Sequence, residues 1–191
     1  PKGYYVMIDI PGVQKVVNSS RKAGDFWVGS WMISMVTWMT LWSLIWKYGP
    51  DVLIAPTCRL NPFYYAFLIA EMKASGYKRA AEELEREYVE FLRSLGLEVS
   101  EGNSLNLLEP PLIPATATLL LPKDEKLQNK ELVEKEVRAA FRRAFECVKM
   151  LALEGRLEEP EDPACKALFS ILRDLKRGKR RRERENLLDK I

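Results

Sequence analysis

Hydrophobic positions along this chain change period several times, and the changes mark its elements. GYYVMIDI is an aromatic, β-branched and apolar run that Pro11-Gly12 interrupts, which predicts a strand at about residues 3–10. From Val13 the pattern turns helical, with a break near Gly24, and FWVGSWMISMVTWMTLWSLIW, residues 26–46, carries no charge. On a wheel of 100° per residue, all five tryptophans of the chain, Trp27, Trp31, Trp38, Trp42 and Trp46, fall within about 100° of one another. Ser30, Ser34 and Thr37 make a second stripe of small residues, the kind that lets another backbone come close. An uncharged helix of this length is long enough to cross a bilayer. Membrane helices, however, concentrate tryptophan at their two ends, and here it runs through the middle, so a buried or interface helix is the preferred reading and no membrane is expected.

The remaining elements follow from turn residues. YGPDVLIAP predicts a turn and a short strand at 51–55 closed by Pro56. NPFYYAFLIAEMKASG and YKRAAEELEREYVEFLRSLG read as two helices stopped by Gly76 and Gly96, the second with Leu84, Tyr88, Phe91 and Leu95 inside and Glu83, Glu85, Glu87 and Glu90 on a solvated face. A strand at about 115–121 is fenced by prolines. An amphipathic helix then runs from Asn129, a good N-cap, to Gly155, burying Val133, Val137, Ala140, Phe141, Ala144 and Val148. ACKALFSILRDL is a last short helix before a basic end. Strands alternating with helices predict a sheet layered with helices, an α+β or α/β fold.

Composition narrows the chemistry. With no histidine among 191 residues, His-based acid/base catalysis, His metal ligands and Ser-His or Cys-His pairs are excluded. Cys58, Cys147 and Cys165 are odd in number and far apart, so neither a disulfide framework nor a zinc pair is expected, and a reducing, cytoplasmic compartment is the simplest setting. No basic region followed by an apolar one opens the chain, so no secretory signal is expected. Abundant Glu, Lys and Arg with only two glutamines, Gln14 and Gln128, suits a thermophile. The net charge of +3 is uneven: residues 173–191 hold nine Lys/Arg against four Asp/Glu, which leaves the body acidic.

Candidate chemistry gathers at the first strand's end. Asp9 lies where a carboxylate can face a metal-bound phosphate, or can simply cap the turn through the Gly12 or Val13 amides. Gly12 allows the tight turn, and amides at the helix start after it can receive phosphate. Neither GxxxxGK[ST] nor GxGxxG is present. Ser19, Ser20, Arg21 and Lys22 place two hydroxyls and two cations in four residues, which suits a triphosphate or an RNA backbone and equally an ordinary solvated loop. Arg180, Arg181 and Arg182, within KRRRER, are a weak RNA-contact candidate or a frayed helix end, since no aromatic residue is interleaved for base stacking.

Taken whole, DIPGVQKVVNSSRKAGDFWVGSWMIS, with YGPDVLIAPTCRLNPFYYAFL and PLIPATATLLLP, resembles the N-terminal palm-like domain of the large subunit of Cmr-type (type III-B) CRISPR effector complexes over roughly residues 4–150. The resemblance implies a ferredoxin-like βαββαβ palm over residues 1–155, with a helical insert at about 62–100 and a helical extension with a basic tail at 156–191. It implies antiviral defence in which the complete subunit, activated by target RNA, joins ATP into cyclic oligoadenylates between two palms. Gly12, Ser19, Ser20, Arg21 and Lys22 would then meet the nucleotide, Asp9 corresponds in position to a metal-binding acid, and Trp27, Ser30, Trp31, Ser34 and Trp38 would face the core or an interface. The cofactor implied is ATP with Mg or Mn. The implied partners are the second palm and the rest of the large subunit, other Cmr subunits, crRNA and target RNA. No GGDD motif is present, so the chain alone is expected to be inactive; a purely structural docking module is the alternative.

Overall fold

A computed structural model describes residues 3–10, 14, 23–97, 113–154 and 162–173. These form β1 (Gly3–Asp9), α1 (Ala23–Tyr48), a 3-10 turn (Pro50–Val52), β2 (Leu53–Ala55), α2 (Pro62–Ala74), α3 (Lys78–Ser94), β3 (Thr116–Pro122) and α4 (Lys130–Glu154). A further helix, α5, spans 163–173. The chain divides into two compact units: Pro1–Asn61 with Pro110–Cys165, and Pro62–Glu109 with Lys166–Ile191. It is an α+β protein.

The first unit is organised by α1. Residues 34–42 are buried without interruption, which covers every side of the helix rather than one stripe. Met35, Trp38, Met39, Leu41 and Leu44 are each 0% exposed, and burying side chains of this size is worth roughly 1.5–3 kcal/mol each. Three hydroxyls of this helix are satisfied locally. Thr37 donates to the Ile33 carbonyl at 2.8 Å, Thr40 to Val36 at 2.8 Å and Ser43 to Met39 at 3.1 Å, the back-bonding expected of Ser and Thr within a helix. Helix α1 is long and apolar enough to cross a membrane by length and composition, but 67% of that apolar window is buried inside the chain.

The sheet has the order β1-β3-β2, with β3 antiparallel to both neighbours. Tyr4 pairs with Leu121, Val6 with Leu119 and Ile8 with Ala117, so these six share one face, and the β3 members are buried. Helix α1 packs on β3 and on α4. Small residues, Ala140 and Ala144, are fully buried on the inner face of α4, beside Val133, Cys147 and Val148. Asn129 caps α4 as its side-chain carbonyl accepts the Leu132 N–H at 2.9 Å. Val137 and Phe141, expected inside, are only half-buried, because they lie toward β1, where no further strand covers them among the described residues. Residues 51–52 belong to the 3-10 turn rather than to the expected strand, since Gly49 at φ 93° and Pro50 start a tight turn that shortens β2.

In the second unit, α2 packs on α3, where Tyr65 stacks on Tyr88 with centroids 3.9 Å apart. Gly76 and Gly96, at φ 89° and 80°, end the two helices as expected. The buried face of α3 is Ala81, Glu85, Tyr88, Val89 and Leu92. Glu85 is therefore not on a solvated face: it lies on the stripe of Ala81 and Tyr88, and Lys73 meets its carboxylate at 2.8 Å, which makes the burial tolerable. Leu95 is exposed because the helix has ended before it.

The three cysteines also depart from expectation. Cys147 and Cys165 are joined by a disulfide across a separation of 18 residues, with Cα atoms 6.1 Å apart. Each lies on the buried side of its own helix, so the two thiols meet through packing that no local spacing encodes. Asp162 begins α5, accepting the Ala164 and Cys165 N–H groups at 3.0 and 3.2 Å, and also receives Arg143 at 3.0 Å.

Two outcomes follow. Trp38→Ala should cost about 3–5 kcal/mol in urea unfolding, the usual range for an aromatic removed from a core; a loss below about 1 kcal/mol would contradict the central place of α1. Burial raises the Glu71 carboxyl above its ordinary value, against an opposing pull from Lys166. A raised folded pKa means the ionised form opposes folding above that pKa, and the penalty vanishes once pH falls below the unfolded value. Glu71→Gln should accordingly raise the melting temperature at pH 7, with the gain fading below about pH 4.5; a lower melting temperature at pH 7 would overturn this.

Candidate functional site

The strand that carries the predicted site alternates cleanly. Gly3, Tyr5, Met7 and Asp9 are exposed, and Tyr4, Val6, Ile8 and Ile10 are half-buried. Asp9, at the strand's end, pairs in register with Thr116 of β3 and presents its carboxylate to solvent. Among the described residues no group of three His, Cys, Asp or Glu side chains could hold a metal ion. Asp9 therefore stands as a single exposed carboxylate, which holds a cation such as Mg only together with phosphate oxygens and water. Gly12, Ser19, Ser20, Arg21 and Lys22 lie outside the described residues, as do Arg180, Arg181 and Arg182.

The α1 positions separate by depth. Trp27 belongs to the helix, but its side chain lies outside the description. Ser30 and Trp31 are half-buried. Ser34 is 2% exposed and donates to the Ile113 carbonyl at 2.9 Å, which ties the approach to β3 onto the helix. Trp38 is fully buried and sits 6.4 Å from the Trp42 ring, while Trp46, at the far end of the stripe, is 51% exposed. Ser34 and Trp38 are thus core positions, and of the two places expected for them, core or interface, the structure gives the core. The stripe angle alone could not separate them, because depth along a helix axis depends on what packs at each level.

Sequence reasoning also missed two features of this unit. The face of the sheet opposite the helices is apolar and open: Tyr5 pairs with Leu120, and Tyr5, Met7, Leu120 and Ile54 are each about half exposed or more. The doubled aromatics of GYYVMID, apolar on both faces of one strand, were the available signal. On the helix side, a groove of about 760 Å³ runs between β1 and α4, floored by Val133, Val137 and Phe141 and rimmed by Lys130, Glu134 and Arg138.

Electrostatics elsewhere are structural. Lys47 meets Glu136 at 2.8 Å and joins α1 to α4; burial works against its charge, but Glu136 and Tyr48 outweigh that and hold its pKa above the ordinary value. Burial, helped by the Asp51 carboxylate, pushes the Cys58 thiol up to about 11, so it is a poor nucleophile at neutral pH.

The family model described as CRISPR-associated protein Cmr2, N-terminal, matches residues 5–148. The chain belongs to that family. It is 31% identical over 125 residues to the CRISPR system CMR subunit Cmr2 of Saccharolobus solfataricus, which covers 63% of this chain and 11% of that protein. It is 36% identical over 64 residues to the Cmr2 subunit of Pyrococcus furiosus, covering 34% of this chain and 7% of the relative. Thus the chain spans about a tenth of the length of the curated relatives it matches. Among solved structures it is similar to a chain of type III-B Cmr-beta in the apo state, with TM-score 0.60, 25% identity, and coverage of 76% of this chain and 15% of that one. For type III-B Cmr-beta bound to cognate target RNA the values are 0.65, 26%, 81% and 16%.

A thiol with pKa near 11 instead of 9.0 carries on the order of a hundredfold less thiolate at pH 8. Alkylation of Cys58 by iodoacetamide at pH 8 should therefore be on the order of a hundredfold slower in the folded chain than in urea; equal rates would show that the thiol is not desolvated.

Proposed function

We propose that this chain is the N-terminal, palm-like domain of the large subunit of a type III-B Cmr complex, and that it supplies one wall of an ATP site used for cyclic oligoadenylate synthesis. The observation that carries the reading is the family match over residues 5–148 together with the likeness to Cmr-beta chains. The order β1-β3-β2 supports a ferredoxin-like palm: β1 and β2 run parallel on either side of an antiparallel β3, with α1 as the crossover between them and α4 following β3.

In this reading Gly12 turns β1 toward α1, the Ser19 and Ser20 hydroxyls donate hydrogen bonds to phosphate oxygens, and Arg21 and Lys22 neutralise their charge. ATP brings its own cation, and no step is assigned to a metal held by Asp9. Synthesis requires the GGDD-bearing second palm, which this sequence lacks, so the domain positions nucleotide and does not act alone. crRNA, target RNA and other Cmr subunits are partners through the assembled complex. The open apolar face of Tyr5, Met7, Leu120 and Ile54 favours a second reading, in which the domain only docks neighbouring subunits.

Calorimetric titration of Mg-ATP separates the two. Binding is expected when the chain is mixed with a GGDD-bearing fragment of the large subunit, not with the chain alone, and Ser20→Ala or Arg21→Ala should weaken it about tenfold without lowering the melting temperature. If the two fragments associate and no ATP binds, the docking reading holds and the nucleotide reading falls.

A further inference from the structure

The start of α5 is fastened to α4 at two points that lie one helical turn apart. Arg143 and Cys147 stand four residues apart on α4, and Asp162 and Cys165 stand three apart where α5 begins, so each pair shares a face of its own segment. The Arg143 Nε–H donates to Asp162 Oδ2 at 3.0 Å, and Cys147 and Cys165 are joined through their sulfurs. Through its other oxygen Asp162 accepts the Ala164 and Cys165 N–H groups, so one carboxylate both caps α5 and ties it to α4. The two ties act as a clasp with an ionic rung and a covalent one.

The rungs differ in kind. The Arg143 side chain is 47% exposed, and an ion pair this open to water is weak by itself and is screened by salt. The covalent rung is enclosed: Cys147 is 0% and Cys165 3% exposed, and Ala144, Val148 and Ala164 beside them along the chain are buried as well. Thiol–disulfide exchange needs a thiolate to reach one of the two sulfurs. A reductant in solution therefore meets them only after the first turn of α5 has lifted from α4. Cys58 does not supply the attacking thiolate from within, since burial and the Asp51 carboxylate push its thiol up to about 11.

We propose that this clasp is a redox gate on the first turn of α5: while Cys147 and Cys165 are joined the turn stays on α4, and a dithiol reductant releases it at a rate set by the Arg143–Asp162 pair. One thiolate of the reductant attacks a cysteine sulfur and forms a mixed disulfide, while the other cysteine leaves as a thiolate and takes a proton. The reductant's second thiol then loses its proton and displaces the first cysteine. Cys147 and Cys165 end as two thiols, and the dithiol ends as a disulfide. With the covalent rung gone, the attachment leans on the ionic one and becomes sensitive to salt.

Reduction of the air-oxidised 191-residue chain by dithiothreitol at pH 8, followed with and without urea, tests the gate. Before reduction, the chain in urea should show one free thiol, that of Cys58; three free thiols would mean that the bond does not form and would overturn the proposal. Native reduction should be at least a hundredfold slower than reduction in urea. Arg143→Gln, and about 1 M salt with the unaltered chain, should each speed native reduction about two- to fivefold, the weight of an exposed ion pair, and leave the rate in urea unchanged. Hydrogen exchange at the Ala164 and Cys165 amides should be at least tenfold faster in the reduced chain, and Cys165→Ala should show at Ala164 the same faster exchange without reductant. Cys58→Ser should behave as the unaltered chain does. Equal reduction rates with and without urea, a native rate indifferent to both Arg143→Gln and salt, or amide exchange unchanged by reduction would each overturn the gate.

Discussion

A helix whose middle turns carry no charge has to be enclosed, and in this protein the enclosure of α1 sets the position of nearly everything in its unit. Burial on all sides over residues 34–42 demands neighbours on all sides, and β3 and α4 are among them. The close approach of α4 is possible because its inner face carries alanines at 140 and 144. The Thr37 and Thr40 hydroxyls that this helix brings inside are kept from opposing the burial by bonds to its own carbonyls, and Ser34 reaches outward to Ile113 and so anchors the segment entering β3. One hydroxyl thereby links the core helix to the central strand.

The sheet that results is used unequally. One face is spent on the helices, and the other keeps Tyr5, Met7, Leu120 and Ile54 in solvent, with no strand beyond β1 among the described residues. Exposed apolar faces of this kind are typical of surfaces that meet a partner.

Much of the fold was legible because its signals are local. Pro11-Gly12 after an apolar run, Gly76 and Gly96 after helical ones, and Asn129 ahead of α4 each act through the backbone of the residues beside them, and the structure places β1, α2, α3 and α4 accordingly within a residue or two. The candidate site was legible only as a motif: the serine-basic cluster is a statement about residue types, and Asp9 alone among its polar members falls within the described residues. What escaped were pairings between distant segments. Glu85 reads as one of four solvated acids, and only the approach of Lys73 from another helix makes it a buried ion pair.

The sequence by itself determined the elements, their order, the absence of histidine chemistry and the motif that marks the family, because each depends on neighbours along the chain or on composition. Tertiary structure decided which tryptophans are core, that Cys147 meets Cys165, that Val137 and Phe141 floor a groove instead of filling a core, and that β1 lies at an edge. Those outcomes depend on which strand lies beside which, and a helical or strand period carries no information about the far side of the sheet.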